Sequence, residues 1–218
     1  MIDKSYPRLA LRQLLTNDFV TQGTRGNQFS SHLKNFGRQL PTGYALWRAR
    51  VGFAGDQDLE CSALLIDEMG PNPAFPAGRL NLAGQEIFYC AESEHTAVAE
   101  VRPARGYLVT TCSLSTKRAL NILDLVDGLG AIDPFVCNQL SWMLDLQRLL
   151  RNLAARSAKP TNKGDDEDTY LITQGAALVA RKMGYDGIRF PSSLQSPGKA
   201  ETSDSSALLM LNFLHHAW

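Results

Sequence analysis

The segment from Gly78 to Glu100 constrains the fold more than any other part of this chain, because it predicts a loop, a strand and a helix in direct succession. Two glycines interrupt the loop, as expected where the backbone turns sharply or lies against a ligand. A β-rich run then ends at Tyr89. Ser93 is predicted to cap the helix that follows, since a serine side chain can accept a hydrogen bond from the first helical turn.

Three side chains of this segment are predicted to share one pocket. Arg79 lies in the loop, Tyr89 at the predicted end of the strand and Glu100 at the edge of the helix's apolar stripe. Because a strand that leads directly into a helix brings the two elements together, we expect these side chains to form one wall. The position of Glu100 at the stripe's edge predicts a carboxylate that is partly shielded from water.

The rest of the chain predicts an α+β fold. Short strand patterns dominate, helices lie between some of them, and there is no regular alternation of strand and helix, which argues against a doubly wound parallel sheet. Strands are expected at 44–53, 107–113, 120–125, 186–190 and 207–214, and helices at 134–156 and 169–183.

Residues 1–42 are predicted to form an N-terminal helical extension, and residues 43–218 the main domain. The extension carries more basic than acidic side chains. We favour a helical cap packed on the main domain over a docking surface for a partner chain. The polar stretches at 157–167 and 194–205 are predicted to be exposed loops, including the acidic run at 165–168, for which no metal cage is apparent.

Composition restricts the classes of function. The chain has 218 residues, with 22 basic and 22 acidic side chains, so its net charge gives no reason to expect a nucleic acid partner. The N-terminus lacks the features of a signal peptide, and no apolar run is long enough to cross a bilayer. The histidines lack metal-ligand spacing, so no metal is expected. Four scattered cysteines without a CxxC pattern suggest reduced thiols in the cytoplasm: Cys61, Cys90, Cys112 and Cys137.

Two arginines share one face of the predicted strand 44–53. Arg48 and Arg50 alternate with Trp47, Ala49 and Val51 in an otherwise apolar run. A buried guanidinium needs an anionic partner, because unpaired burial of a charge is costly. That partner can be a structural carboxylate or the phosphate of a ligand, for which the arginine fork is well suited.

Four blocks of the sequence resemble the RES domain family. They are GRLN with the tyrosine and TAVAEVRP that follow it, LWRAR at 46–50, DTYLITQ at 168–174 and GYDGIRFPSS at 184–193. The resemblance covers most of the chain from Leu46 onward. One position differs from many members, which carry an aromatic residue where this chain has Leu80. The resemblance implies a compact split β-sheet like that of ADP-ribosyltransferases, with NAD bound as the substrate.

By this resemblance, five residues would surround NAD. Arg79, Tyr89 and Glu100 would be catalytic, while Arg48 and Ser192, together with Arg79 and Tyr89, would bind the dinucleotide. The adjacent Ser193 leaves the identity of the site serine open, and the role of Arg50 stays open too. Each residue also has an ordinary structural interpretation when it is taken singly. Their shared order and context favour the functional one for Arg79, Tyr89 and Glu100.

The resemblance implies an enzyme that cleaves the bond between nicotinamide and ribose in NAD, with water or phosphate as the acceptor. In this family such activity usually causes growth arrest and is held in check by an antitoxin or an immunity protein. A protein ADP-ribosyltransferase is the second hypothesis, and a non-catalytic module that binds NAD or ADP-ribose is the third. Action in the cytoplasm is expected, and secretion as an effector and assembly into a homo-oligomer are left open.

Overall fold

The computed structural model describes residues 36–52, 63–71, 77–127, 140–158, 168–192, 194 and 207–212. These residues contain seven strands, three α-helices and one short 3-10 helix. The strands are β1 (Gly37–Leu40), β2 (Ala45–Val51), β3 (Ile87–Ala91), β4 (Val109–Ser115), β5 (Leu120–Asp124), β6 (Gly187–Pro191) and β7 (Ala207–Asn212). The helices are α1 (Glu94–Val101), α2 (Leu140–Ala158) and α3 (Asp168–Lys182), and the 3-10 helix is Ile66–Met69.

All seven strands belong to one mixed sheet in the order β1-β5-β6-β7-β3-β2-β4. Only β5 and β6 run parallel among these neighbours, and every other adjacent pair is antiparallel. The helices do not alternate regularly with the strands along the chain. The prediction of an α+β fold is therefore confirmed.

The sheet is split between β2 and β3. These strands share a single paired position, Trp47 with Ala91, whereas β2 pairs with β4 over seven. No further position of the two strands is paired in the described residues. The Arg48 guanidinium crosses the gap instead and donates to the Tyr89 carbonyl oxygen at 2.6 Å. The split sheet that the family resemblance implied corresponds to this opening.

The two faces of the sheet carry separate apolar clusters. The cluster that we call the helix-side cluster includes Ala49, Ile87 and Ala91 from the strands and side chains from all three helices, among them Ala97 and Leu153. The far-side cluster consists of side chains that the strands turn to the opposite face, because successive residues of a strand alternate. Its buried members are Leu40, Leu46, Phe88, Cys90, Leu120, Ile122, Leu209 and Leu211.

Local capping residues set the start of α1 and the end of α3. Ser93 caps α1, and its hydroxyl accepts a hydrogen bond from the Thr96 amide at 3.1 Å, which confirms the predicted cap. Gly184 follows α3 with φ of +83°, a left-handed conformation that glycine adopts without strain. Both ends matter for the site, since α1 carries Glu100 and α3 leads into β6.

Some predicted boundaries differ from the structure. The strand of Tyr89 continues to Ala91, so Tyr89 lies at its middle and not at its end. Residues 37–40, which the sequence placed in the helical extension, form β1 and pair with β5. Their pairing partners at 120–123 are 80 to 86 residues away in the chain, so no local pattern could reveal them. Residues 1–35, and most residues of the two predicted loops, lie outside the described ranges.

Candidate active site

The split and the helix side of the sheet form the walls of a half-open cavity of about 440 Å³. This volume is within the range of small-molecule and cofactor sites. Its walls come from β2, β3, α1 and the turn at 77–81, with further contributions from α3, β6 and β7. Four of the five predicted site residues line it, namely Arg48, Arg79, Tyr89 and Glu100.

Glu100 connects two other predicted residues. Its Oε1 accepts a hydrogen bond from the Ser192 hydroxyl at 2.6 Å, and its Oε2 lies 3.9 Å from Arg79 Nη2. Ser192 follows directly after β6, whereas Glu100 comes from α1 and Arg79 from the turn. The side chains of Arg79 and Glu100 are 19% and 16% exposed, so both charges lie in a largely shielded wall. The carboxylate is partly buried, as the apolar stripe predicted.

The other side of the Arg79 guanidinium is anchored to the end of α2. Its Nη1 donates to the carbonyl oxygens of Ser157 at 2.8 Å and Ala158 at 3.5 Å. These are carbonyls of the last helical turn, which have no partner within the helix and carry its partial negative charge. One part of the guanidinium is therefore held by the helix end, and Nη2 is left facing Glu100.

The Tyr89 hydroxyl is engaged on both sides. It donates to Asn81 Oδ1 at 2.9 Å and accepts from the Leu80 amide at 3.4 Å. Burial raises the pKa of Tyr89 to about 12, although the Leu80 amide and the Arg79 charge oppose the shift. The phenol thus stays protonated at neutral pH, and its ring forms part of the cavity wall.

Arg48 reaches the cavity from the far side of the sheet. Its guanidinium lies 4.4 Å from the centroid of the Phe88 ring, and Phe88 belongs to the far-side cluster. Besides the bond to Tyr89, Nη2 donates to the Gly70 carbonyl at 2.9 Å, while Nε is buried without a partner among the described residues. Burial, and to a lesser degree the charge of Arg50, lowers the pKa of Arg48 to about 10.

Arg48 therefore connects β2 to β3 across the split, and its hydrogen-bond partners are backbone carbonyls. Arg50 donates to the same Gly70 oxygen at 2.5 Å. The two arginines therefore attach the end of the 3-10 helix to β2. The choice that the sequence left open, between a carboxylate and a phosphate, overlooked this third kind of partner. Phosphate binding by Arg48 stays a prediction.

Sequence reasoning assigned no role to several residues at the cavity. Trp47, Gln85 and Tyr170 line it, and Gln174 of α3 bonds to the turn that carries Arg79. Gln174 belongs to the DTYLITQ block, which was the available signal. The other lining residues are ordinary core-edge types whose position depends on distant pairing.

The described residues hold no group of three or more His, Cys, Asp or Glu that could bind a metal ion. Within the same ranges, no helix has the length and apolar character needed to span a membrane.

Comparison with known proteins places the chain in a family. One solved structure that matches the chain is the toxin–antitoxin complex MbcT–MbcA of M. tuberculosis. The sequence identity is 14%, the match covers 87% of this chain and 84% of that chain, and the TM-score is 0.44. No curated protein matches the sequence. The model of the RES domain matches residues 45–216, which is most of the chain, and the protein therefore belongs to the RES domain family.

Proposed function

We propose that this protein is a toxin-like enzyme that consumes NAD by cleaving the bond between nicotinamide and ribose. The observation that carries the proposal is the contact chain from Arg79 through Glu100 to Ser192, at a cavity that Tyr89 also lines. The family resemblance implies NAD as the substrate, and the arrangement of charged and polar groups suits that chemistry. The proposed host effect is growth arrest, relieved by an antitoxin or an immunity protein.

In the proposed reaction the C1′–N bond breaks and its electron pair leaves with nicotinamide, which becomes neutral. The ribose carbon gains positive charge and is attacked by the oxygen of water, which loses one proton. The products are nicotinamide, ADP-ribose and a proton. With phosphate as the acceptor, the product is instead a phosphorylated ADP-ribose. Arg48 and Arg79 line the cavity, and arginine suits the dinucleotide's phosphates because its N–H donors match the phosphate oxygens.

Glu100 is proposed to act on the reacting carbon. A carboxylate in a shielded wall can stabilise the growing positive charge of the ribose, because charges interact more strongly away from bulk water. It can also take the proton of the incoming water. The Ser192 hydroxyl bonds to Oε1, and the Arg79 charge lies 3.9 Å from Oε2, so the carboxylate is oriented before the substrate binds.

The test is nicotinamide release from NAD by the wild type, Glu100→Gln and Glu94→Gln. Glu100→Gln keeps the shape and removes the charge, and we expect kcat to fall by about 100-fold or more. Glu94 is the matched control, because it lies on the same helix, is exposed and bonds only to Thr111 in the described residues. Its variant should keep the wild-type rate. An unchanged kcat in Glu100→Gln, with wild-type turnover present, rejects the role of Glu100.

The acceptor is identified in the same assay. Release in buffer alone indicates water, release that requires phosphate indicates phosphorolysis, and release that requires an added protein indicates an ADP-ribosyltransferase. Expression in a bacterial host tests the proposed effect. We expect the wild type to arrest growth and Glu100→Gln to relieve the arrest.

A further inference from the structure

The turn at 78–81 is attached to α3 by side chains that the proposed chemistry does not use. Gln174 Nε2 donates to the carbonyl oxygens of Gly78 at 2.9 Å and Asn81 at 3.1 Å. The Thr173 hydroxyl lies within hydrogen-bonding distance of the carbonyl oxygen of Arg79 and of the Tyr170 carbonyl in its own helix, and it can donate to one of them at a time. Both side chains are buried, with 6% and 2% of their residue surface exposed. Three carbonyls of the turn, those of Gly78, Arg79 and Asn81, are thus contacted from one helix.

The turn also closes on itself. Gly78 and Asn81 exchange backbone hydrogen bonds of 3.0 and 3.4 Å. A carbonyl oxygen has two lone pairs, so each of these carbonyls can accept from the turn and from Gln174 at once. A side chain at position 78 would collide with Asn81 Oδ1 and would lie 3.3 Å from the Tyr89 hydroxyl. The turn is therefore tightly closed, and Gln174 attaches it to α3.

The turn is held from two sides, by the Tyr89 hydroxyl of β3 at Leu80 and Asn81 and by the side chains of α3 at the carbonyls of Gly78, Arg79 and Asn81. Arg79 and Glu100 come from separate elements, and their nearest charged atoms are 3.9 Å apart. Arg79 also bonds to the end of α2, which fixes its guanidinium tip but not the backbone below it. The bonds from Gln174 and Thr173 are the ones that hold the backbone of this turn to α3.

We infer that Gln174, supported by Thr173, is a positioning residue that holds the turn at 78–81 so that Arg79 faces Glu100 at the cavity. This inference rests on the proposed function for its kinetic consequence, and on the contacts alone for its structural one. Displacement of a reacting group by about 1 Å can lower the rate by about 100-fold. Loss of the amide donor should therefore reduce turnover although Gln174 does not line the cavity.

The experiment compares Gln174→Met with Gln39→Met. Methionine has a similar length and no donor, and Gln39 is an exposed glutamine of β1 that provides the matched substitution. We expect kcat/KM for NAD to fall by roughly 10- to 100-fold in Gln174→Met and to stay unchanged in Gln39→Met. Thr173→Val removes the other donor and should give a smaller loss in the same direction.

A double-mutant cycle separates positioning from general packing. If Gln174 acts through Arg79, adding Gln174→Met to Arg79→Ala should change kcat/KM by no more than about twofold. Losses that multiply in full in the double variant would overturn the inference. So would wild-type kcat/KM in Gln174→Met.

Amide hydrogen exchange provides a readout that does not depend on NAD. Exchange of residues 77–86 should become faster in Gln174→Met and remain as in the wild type in Gln39→Met. If exchange responds in this way while the wild type fails to turn over NAD, the positioning contact stands and the proposed function falls. If exchange in this segment is unchanged, the inference falls whatever the activity.

Discussion

The Tyr89 hydroxyl illustrates how one side chain can serve both fold and site. It bonds to Asn81 and to the Leu80 amide, so it supports the turn next to Arg79 from the strand side. With a pKa raised to about 12 by burial, the phenol is a hydrogen-bond donor and not a base at neutral pH. At the residue scale, Tyr89 can therefore donate a hydrogen bond in the proposed reaction but cannot take the proton of the incoming water.

Tyr89 should make the protein sensitive to alkaline pH. A tyrosine in the unfolded chain titrates near pH 10, and Tyr89 in the folded protein titrates at about 12. As the pH rises between these values, the unfolded state releases a proton that the folded state keeps, so the free energy of unfolding decreases. Urea unfolding at about pH 8 to about pH 11 should show this decline, and Tyr89→Phe should reduce it.

The comparison with Tyr89→Phe isolates one phenol among several. Burial also raises the pKa of Tyr44 and Tyr185, and both residues remain in the variant. The difference between the two proteins thus reports Tyr89. Equal declines in the wild type and the variant would contradict its assigned pKa.

At the scale of elements, a buried ionic cluster joins strands on the far side of the sheet. Arg189 of β6 bonds to Glu92 at the end of β3 through two contacts of 2.9 Å, and to Asp124 of β5 through two of 3.1 Å. Burial lowers the pKa of Arg189, but bonds and charges of Glu92 and Asp124 outweigh it and raise the pKa overall. Glu92 precedes the Ser93 cap of α1, so the cluster also supports the helix that carries Glu100.

Removal of Arg189 should destabilise the fold strongly. Arg189→Met leaves the carboxylates of Glu92 and Asp124, which are 4% and 2% exposed, without their main partner. We expect the free energy of unfolding to fall by about 3–5 kcal/mol. Arg118→Met is the control, because Arg118 is 42% exposed in its pair with Asp186 and should cost less than about 1 kcal/mol. Urea unfolding measures both free energies. Equal decreases in the two variants would contradict the expectation that the buried pairs of Arg189 contribute more stability than the exposed pair of Arg118.

At the scale of the whole molecule, NAD should stabilise the folded protein if the cavity binds it. A ligand that binds only the folded state, at a concentration about 100 times its Kd, adds about 2.7 kcal/mol to the free energy of unfolding. Glu100→Gln is the protein to use, since we expect it to bind NAD while turning it over slowly. Urea unfolding with and without NAD measures the effect. Arg79→Ala should show a smaller gain, and no gain in either protein would argue against NAD binding.

Much of the fold could be predicted because it depends on local patterns. The loop, strand and helix of 78–100 are encoded by glycines, β-branched and aromatic residues and a serine cap, all within one short stretch. The long helices and most strands followed for the same reason. Arg189 was overlooked, although an arginine within the apolar run DGIRF is the same signal that drew attention to Arg48.

By itself the sequence determined the family, the α+β class, and which side chains one short segment could bring together. Only the tertiary structure decided that Ser192 contacts Glu100, that the Arg79 guanidinium bonds to the end of α2 and that Arg48 spans the split. These contacts join residues that are 41 to 92 positions apart in the chain. The physical reason is that periodicity and capping act over a few residues, whereas the meeting of distant groups depends on strand order and on helix packing across the whole sheet.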